Sequence, residues 1–300
     1  MTAADEFAVP LPRIYRSREV LAFHGRDREG LAERVDGNRL RKAASIAGMD
    51  TLVEVALDGR AARCRVETGQ RLSSVAAAAV RKAVTGMLGL HDDPGPFERA
   101  SRQDPLLGPI VARQRGLRIP MTATPFEALS WAIIGQQINL PFAIELRRQV
   151  IRAAGRRLAG GLWCYPAAEQ VAGLDVEMLL GCKFSRAKAD TLIRVARLVA
   201  EDRLPLSRWA ADATPVEEIE AALLAVKGIG PWTVNYVLLR GFGMADRSLH
   251  GDAAVRAALL RVSNAEAPLK EEAALRLLER YRPYRSYAAA HLWASLSAAP

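Results

Sequence analysis

The spacing of apolar residues divides the chain into an N-terminal part with strand-like runs and a longer part with helical periodicity. Thr51 to Leu57 (TLVEVAL) and Ala61 to Glu67 (AARCRVE) are rich in apolar and β-branched residues and are separated by Asp58-Gly59. Two such runs around a DG turn predict a β-hairpin. Glu19 to Phe23 (EVLAF) and Arg39 to Ala47 predict two further strands.

Helical spacing begins after these runs, where apolar residues recur every three to five positions at Leu72, Val75, Ala79, Val84 and Leu88. The segment His91 to Pro96 (HDDPGP) interrupts this pattern with two prolines and a glycine, which marks a boundary. We therefore expect an α+β fold. A small N-terminal antiparallel-sheet domain over residues 1–92 precedes a larger all-helical domain over residues 93–300.

Two helix starts carry the same four-residue pattern. Thr124-Pro125-Phe126-Glu127 and Thr214-Pro215-Val216-Glu217 each place Thr at the N-cap, Pro at the first helical position and Glu at the third. We expect the Thr hydroxyl to accept a hydrogen bond from the amide of the Glu. The Glu side chain is expected to accept one from the amide of the cap residue.

A glycine hairpin between two helices is the most informative local pattern. In the stretch Leu223 to Arg240 (LLAVKGIGPWTVNYVLLR), Gly228 is predicted to end one helix and Pro231 to begin the next. Glycines let the backbone approach a ligand closely, and the free amides at a helix start attract phosphate. The same residues also fit a plain turn between two helices, so the hairpin alone leaves both interpretations open.

The composition favours a globular protein with an acidic partner. The 300 residues include 42 Lys and Arg against 33 Asp and Glu, a net charge of +9, and half of them are hydrophobic. That balance excludes wholesale disorder and makes nucleic acid the first candidate partner. The cysteines, Cys64, Cys164 and Cys182, are too far apart for a zinc ribbon, a redox pair or an iron–sulfur cluster.

The expected location is the cytoplasm, without membrane attachment. No apolar run reaches the roughly 20 residues of a membrane helix. The opening residues, MTAADEFAVPLPRIY, lack the basic and apolar segments of a signal peptide.

Several motifs in order give the chain a family resemblance. They are the hairpin, the segment Ser248 to Leu259 (SLHGDAAVRAAL), and the stretches DPLLGPIVARQRGLRIP, PFEALSWAIIGQQI and YRPYRSYAAAHLW. Together they resemble the helix-hairpin-helix DNA glycosylase superfamily, and within it the DNA-3-methyladenine glycosylase II branch. The resemblance covers most of residues 100–295. It implies a helix-hairpin-helix glycosylase domain after a small sheet domain.

Asp252 is the candidate catalytic residue. It precedes an apolar-periodic helix, so the residues alone favour a plain helix cap. The resemblance implies instead an acid that stabilises the oxocarbenium-like transition state of glycosidic cleavage and positions water. Trp232 stands where strand-cutting relatives carry a lysine nucleophile. The resemblance therefore implies a monofunctional enzyme that removes alkylated bases of the 3-methyladenine and 7-methylguanine type in base excision repair.

Three alternatives stay open at this point. The first is a glycosylase for another lesion, such as a deaminated or oxidised base. The second is a non-catalytic module that binds damaged DNA through the same hairpin. The third is a basic helical adaptor with no role on DNA.

The resemblance also assigns further residues. Trp232, Tyr236 and Trp293 form the base pocket, where electron-rich rings attract a cationic alkylated purine, although aromatic residues at helical spacing also fit a plain core. The hairpin residues assigned to bind DNA are Lys227, Gly228, Ile229, Gly230 and Thr233. Gln136 and Gln137 mark the wedge region that fills the gap left by a flipped base, with Ile138 as a substitute.

Few other partners are expected. The backbone carbonyls of Val226 and Ile229 are predicted to hold a structural sodium or potassium ion, and no other cofactor or catalytic metal is implied. The predicted partner is double-stranded DNA, bound by a monomer without sequence preference. Ser185, Arg186 and Lys188 are expected on a charged solvent-exposed helix face.

Overall fold

The computed structural model describes residues 3–212 and 214–297. Its N-terminal part contains β1 (Ala3–Pro10), α1 (Ser17–His24), β2 (Glu33–Asp36), β3 (Arg39–Ile46), β4 (Met49–Leu57), β5 (Ala61–Thr68) and α2 (Ser74–Met87). Thirteen helices follow among the described residues: α3 (Gly95–Ala100), α4 (Gly108–Arg113), α5 (Pro125–Gly135), α6 (Leu140–Ala154), α7 (Ala168–Ala172), α8 (Val176–Gly181), α9 (Arg186–Ala200), α10 (Leu206–Ala211), α11 (Val216–Leu224), α12 (Pro231–Arg240), α13 (Ala253–Ser263), α14 (Glu271–Glu279) and α15 (Arg285–Ser297).

The five strands form one antiparallel sheet in the order β1-β5-β4-β3-β2. The hairpin of β4 and β5 pairs Leu57 with Ala62 across the Asp58-Gly59 turn, as the sequence predicted. The strand predicted from Arg39 onward is also confirmed. A small antiparallel sheet followed by helices confirms the predicted α+β fold class. The edge strands β1 and β2 were not predicted.

The prediction of a strand over Glu19 to Phe23 is wrong, because this segment lies within α1. Val20, Leu21 and His24 are buried, which is the spacing of one helix face. Val20 and Leu21 pack into the core of the sheet domain. A five-residue apolar run fits a strand and a buried helix equally well.

Two large hydrophobic cores lie on either side of the predicted boundary. The first is built mainly by residues 20–88, together with Ala123, Ile151 and Tyr165, and the second extends from Phe97 to Leu292. Tyr165 also bonds to the edge of β3, with its amide donating to the carbonyl of Ala43 at 2.9 Å. The division at residue 92 stays a prediction, since later residues complete the first core.

A buried ion quartet, Glu33, Lys42, Glu127 and Arg147, joins the sheet to α5 and α6. Lys42 Nζ lies 2.7 Å from Glu33 Oε2, and Arg147 Nη2 lies 2.8 Å from Glu33 and 2.9 Å from Glu127. Lys42 also contacts Glu127. All four side chains are less than a tenth exposed. Because isolated charges are costly to bury, the quartet requires the sheet and these helices to fit closely.

The two predicted helix caps behave differently. Thr124 Oγ1 accepts from the amide of Glu127 at 3.1 Å, as predicted. The Glu127 side chain bonds to the amide of Ala123 rather than to the cap residue, because the ion quartet draws it away. The prediction for Thr214 is wrong: α11 begins at Val216 with Pro215 as its cap residue.

No helix within residues 3–212 and 214–297 has both the length and the apolar character needed to cross a membrane.

Candidate active site

The glycine hairpin, residues 225–230, connects α11 and α12. Gly228 was predicted to end the first helix, but α11 ends at Leu224 and Gly228 lies in the turn that follows. Gly228 has a φ of +95°, and a Cβ there would stand 2.2 Å from Thr191 Oγ1. Only glycine satisfies both constraints. The second helix starts at Pro231 after Gly230, as predicted.

Side chains from other helices hold the hairpin in place. Gln136 Nε2 donates to the carbonyl of Gly228 at 3.0 Å and to Thr233 Oγ1 at 2.9 Å. Arg194 Nη1 donates to the carbonyl of Lys227 at 3.0 Å. Thr233 and Ile229 are buried, whereas Lys227 is exposed. Of the residues assigned to the hairpin, Lys227 therefore presents a free charge to solvent.

Asp252 caps α13 and also receives two indole N–H groups. Its Oδ1 accepts from the amide of Val255 at 3.0 Å and from Trp293 Nε1 at 3.0 Å. Its Oδ2 accepts from Trp232 Nε1 at 3.1 Å. Every one of these donors is neutral. A carboxylate has about four acceptor sites, so roughly one, on Oδ2, is left for a further donor.

The structure brings the three predicted pocket aromatics together around Asp252. The ring centroids of Trp232 and Tyr236 are 5.5 Å apart, and those of Tyr236 and Trp293 are 6.5 Å apart. All three side chains and Asp252 line one cavity of about 1910 Å³, which also reaches the glycine hairpin. This volume exceeds that of a small-molecule pocket, so the cavity suits part of a macromolecule.

The cavity is also lined by three residues that were not predicted from the sequence: Phe23, Arg26 and Arg240. The Arg240 guanidinium lies 4.4 Å from the ring centroid of Phe23 and 5.1 Å from that of Trp293. Burial lowers the pKa of Arg240 to about 10, so it stays charged at neutral pH. The helical spacing of Val20 and His24 was the signal that could have placed Phe23 on a helix.

The wedge candidates occupy different environments. Gln136 is tied to the hairpin, whereas Gln137 is exposed at the cavity with a φ of +55°. Ile138 packs partly against the helical core. The helix end before them is capped by Lys188, whose Nζ donates to the carbonyls of Ile134 at 2.7 Å and Gln136 at 3.1 Å. The prediction of a solvent-exposed Lys188 is therefore wrong.

Among the described residues, no group of three or more His, Cys, Asp or Glu side chains is placed to hold a metal ion.

Comparison with known proteins assigns the family. A family model described as "HhH-GPD superfamily base excision DNA repair protein" matches residues 130–283, slightly more than half of the chain and all of the glycine hairpin. The chain belongs to this superfamily. The first part of the matched region carries Gln136, and the last part reaches the turn before α15.

Proteins with glycosylase names resemble this HhH-GPD chain along nearly its whole length. A protein of Bacillus subtilis (strain 168) named "DNA-3-methyladenine glycosylase" is 28% identical over 304 residues, which cover 96% of each chain. The structure of the 3-methyladenine DNA glycosylase from Archaeoglobus fulgidus has a TM-score of 0.78 at 22% identity and covers 96% of this chain and 97% of its own.

A second solved structure shows that this fold serves more than one lesion. The 8-oxoguanine glycosylase/lyase of Clostridium acetobutylicum, in complex with duplex DNA containing 8-oxoguanine, has a TM-score of 0.73 at 17% identity. It covers 99% of this chain and 97% of its own. The shared fold extends across both parts of the HhH-GPD chain. The fold alone therefore does not specify the substrate, which depends on the residues of the site.

Proposed function

We propose that this protein is a monofunctional DNA glycosylase of base excision repair that removes flipped-out alkylated bases, of the 3-methyladenine and 7-methylguanine type, from duplex DNA. The observation that carries the proposal is Asp252, held by three neutral N–H donors in a cavity that also reaches the glycine hairpin. The name of the Bacillus subtilis relative, a DNA-3-methyladenine glycosylase, supports the alkylated class of base.

Asp252 acts on the sugar. Cleavage breaks the bond from C1′ to the base nitrogen, and the electron pair leaves on the base. A purine alkylated at N3 or N7 is cationic, so this pair turns it into a neutral leaving group. The ionised Asp252 stabilises the oxocarbenium-like charge left on the sugar. A water molecule that donates a hydrogen bond to the free acceptor site of Oδ2 adds at C1′. Its proton passes to Asp252 or to solvent.

The aromatic side chains receive the base. Trp232, Tyr236 and Trp293 surround the carboxylate with electron-rich ring faces, which attract a cationic base by about 1–2 kcal/mol when water is excluded. The edges of the two indoles point their N–H groups at Asp252. The same residues thus hold the base and the acid together.

We expect the protein not to cleave the DNA strand through an amine nucleophile. Such a lyase step needs a lysine that reaches the sugar. No lysine is among the described residues that line the cavity, and Trp232 stands at the start of α12 beside Asp252. The product is therefore an abasic site in an intact strand.

Duplex DNA binds across the glycine hairpin in this proposal, by a monomer acting in the cytoplasm. The amides at the start of α12 and the exposed Lys227 face phosphate. Gln137 fills the gap left by the flipped base, because it is exposed at the cavity while Gln136 is bound to the hairpin.

A monovalent cation at the hairpin is part of the proposal. The carbonyl of Val226 accepts the amide of Ile229 at 3.0 Å and keeps a second lone pair, so it and the carbonyl of Ile229 fit such an ion. The bound ion would add positive charge beside a DNA phosphate. Replacing potassium by tetramethylammonium at equal ionic strength should then weaken binding to unmodified duplex.

The test uses methylated duplex DNA with the wild type, Asp252→Asn and Glu271→Gln. Glu271 lines the same cavity and is a matched control for loss of one carboxylate. Chromatography identifies the released bases, and strand breaks are scored with and without hot alkali. We expect methylpurine release from the wild type and the control only, with breaks only after alkali.

Other outcomes point to the alternatives. Equal release by the wild type and Asp252→Asn would remove Asp252 from the mechanism. Release by no variant would favour a different lesion or a binding module. Breaks without alkali would contradict the monofunctional assignment.

A further inference from the structure

Arg26, in the loop after α1, lies over two aromatic rings on the wall of the site cavity. Its guanidinium carbon lies 4.1 Å from the ring centroid of Phe23 and 4.7 Å from that of Trp131. Stacking on ring faces leaves the N–H edges of a guanidinium free to donate in its own plane. The two ring contacts therefore restrict the direction of these donors.

The donors of Arg26 have no acceptor within residues 3–212 and 214–297. The guanidinium makes no hydrogen bond or ion pair with any described residue, although it is partly buried. The neighbouring Asp27 is engaged instead by Arg148 Nε at 2.8 Å. The N–H groups of Arg26 are therefore available to an acceptor on a ligand that enters the cavity.

Arg26 and Asp252 are connected through a series of side-chain contacts and do not touch each other. Arg26 contacts the ring of Phe23, Phe23 contacts Arg240, and Arg240 contacts Trp293, whose indole donates to Asp252. Asp252 must lie at the sugar of the flipped nucleotide. Arg26 therefore faces the part of the base that is remote from the glycosidic bond.

We propose that Arg26 selects alkylated bases that carry a carbonyl oxygen on this remote edge, so that guanine-type lesions are preferred over adenine-type lesions. The inference rests on the proposed function and deepens it. Guanine carries O6 at this edge, an acceptor, whereas adenine carries an amino group, a donor. Arginine has five donors and no acceptor, so it satisfies O6 and leaves the amino group unpaired.

The charge of Arg26 does not alter this preference. Both 7-methylguanine and 3-methyladenine are cationic within DNA, and the guanidinium repels both. The ratio of their release rates cancels this shared repulsion and isolates the hydrogen bond. A phosphate contact would also cancel in this ratio, which separates it from base recognition.

The experiment measures both release rates from one duplex that carries both methylpurines. Arg26→Met removes the donors and keeps most of the stem. Arg18→Met is the matched control, because Arg18 lines the same cavity and its loss changes the net charge equally. We expect the rate ratio of 7-methylguanine to 3-methyladenine to fall about tenfold in Arg26→Met, near the low end for an arginine contact to a guanine edge, and to stay unchanged in Arg18→Met.

Two results would overturn the inference. An unchanged ratio would show that Arg26 does not contact the base edge. Equal loss of both rates, with weaker binding to unmodified duplex, would assign Arg26 to a phosphate.

A binding measurement keeps the inference separate from catalysis. Tryptophan fluorescence reports binding of free 7-methylguanine and free 3-methyladenine, because Trp232 and Trp293 line the cavity. If the wild type releases neither base, the proposed function fails and this titration decides the role of Arg26. Tighter binding of the guanine that is lost in Arg26→Met supports it, and equal binding of both bases overturns it.

Discussion

The carboxylates of the ion quartet and the carboxylate of Asp252 have different kinds of partner, charged in the quartet and neutral in the cavity. In the ion quartet, Glu33 and Glu127 are paired with the cations Lys42 and Arg147. In the cavity, the described donors to Asp252 are two indoles and one backbone amide. Both arrangements satisfy the oxygens, but they leave different amounts of charge for a ligand.

The difference separates a structural carboxylate from one that can act on a substrate. In the quartet, burial raises the pKa of Glu33, but Arg147 and Lys42 outweigh it and hold the pKa below its usual range. Those same cations cancel the field of the carboxylate. Neutral donors orient Asp252 and leave its negative charge available to a cationic sugar. Neutral capping thus suits electrostatic catalysis better than ion pairing does.

The largest effect is expected for Asp252→Asn. Loss of the charge should slow base release at least about 10³-fold, or about 4 kcal/mol. Asn is a good N-cap, but its amide nitrogen cannot accept from the second indole, so the free energy of unfolding should fall by only about 1–2 kcal/mol. Single-turnover release and urea unfolding measure the two quantities. A large loss of stability with normal release would place Asp252 with the structural carboxylates.

Glu127→Gln should show the reverse behaviour. Removing one charge leaves Lys42 and Arg147 buried against Glu33 alone, which typically costs about 3 kcal/mol or more. Release per folded molecule should stay near that of the wild type, because the quartet does not line the cavity. Urea unfolding with Arg65→Met as a surface ion-pair control checks this expectation. Normal stability of Glu127→Gln would contradict the assigned role.

The quartet also predicts acid sensitivity of the fold. Burial raises the folded-state pKa of Glu127, but Lys42 and Arg147 outweigh it and hold that pKa below its usual range. Its contribution to stability is therefore present above the unfolded pKa of about 4.3 and is lost as the pH falls below it. Glu127→Gln should therefore flatten the fall of the unfolding free energy between about pH 5 and pH 3. An unchanged pH dependence would show that the pair does not link folding to protonation.

A smaller effect is expected for Trp293→Phe, which keeps an aromatic ring and removes one N–H donor from Asp252. One donor fewer leaves the carboxylate less firmly oriented. Base release should therefore slow by about tenfold or less, which is the net effect of about one hydrogen bond. Trp209→Phe is the matched control, because Trp209 packs in the helical core. Single-turnover release measures both variants, and equal losses of rate would exclude the indole bond as the cause.

Local patterns were predictable from the sequence, and contacts across the chain were not. The β4–β5 hairpin, the start of α12 after Gly230 and the capping position of Asp252 depend on neighbouring residues, so short motifs specified them. The family resemblance then grouped Trp232, Tyr236 and Trp293, which the structure places around one carboxylate.

The features that the sequence did not predict have a common physical cause, since each depends on contacts between distant segments. The ion quartet joins residues as much as 114 positions apart, and β1 gains its strand character by pairing with β5. Lys188 is buried because it caps a different helix, α5. Arg26 follows α1, and the short apolar run in that helix fitted a strand as well. The position of Arg26 at the cavity was therefore not predictable from this run.

The fit of Gly228 against Thr191 also constrains how this sequence can change during evolution. A side chain at position 228 would collide with Thr191 Oγ1 and would also have to adopt a φ of +95°. Shrinking Thr191 removes only the first barrier, so no single second mutation makes position 228 permissive. Among diverging copies of this gene, position 228 is therefore expected to stay glycine as long as the hairpin is under selection.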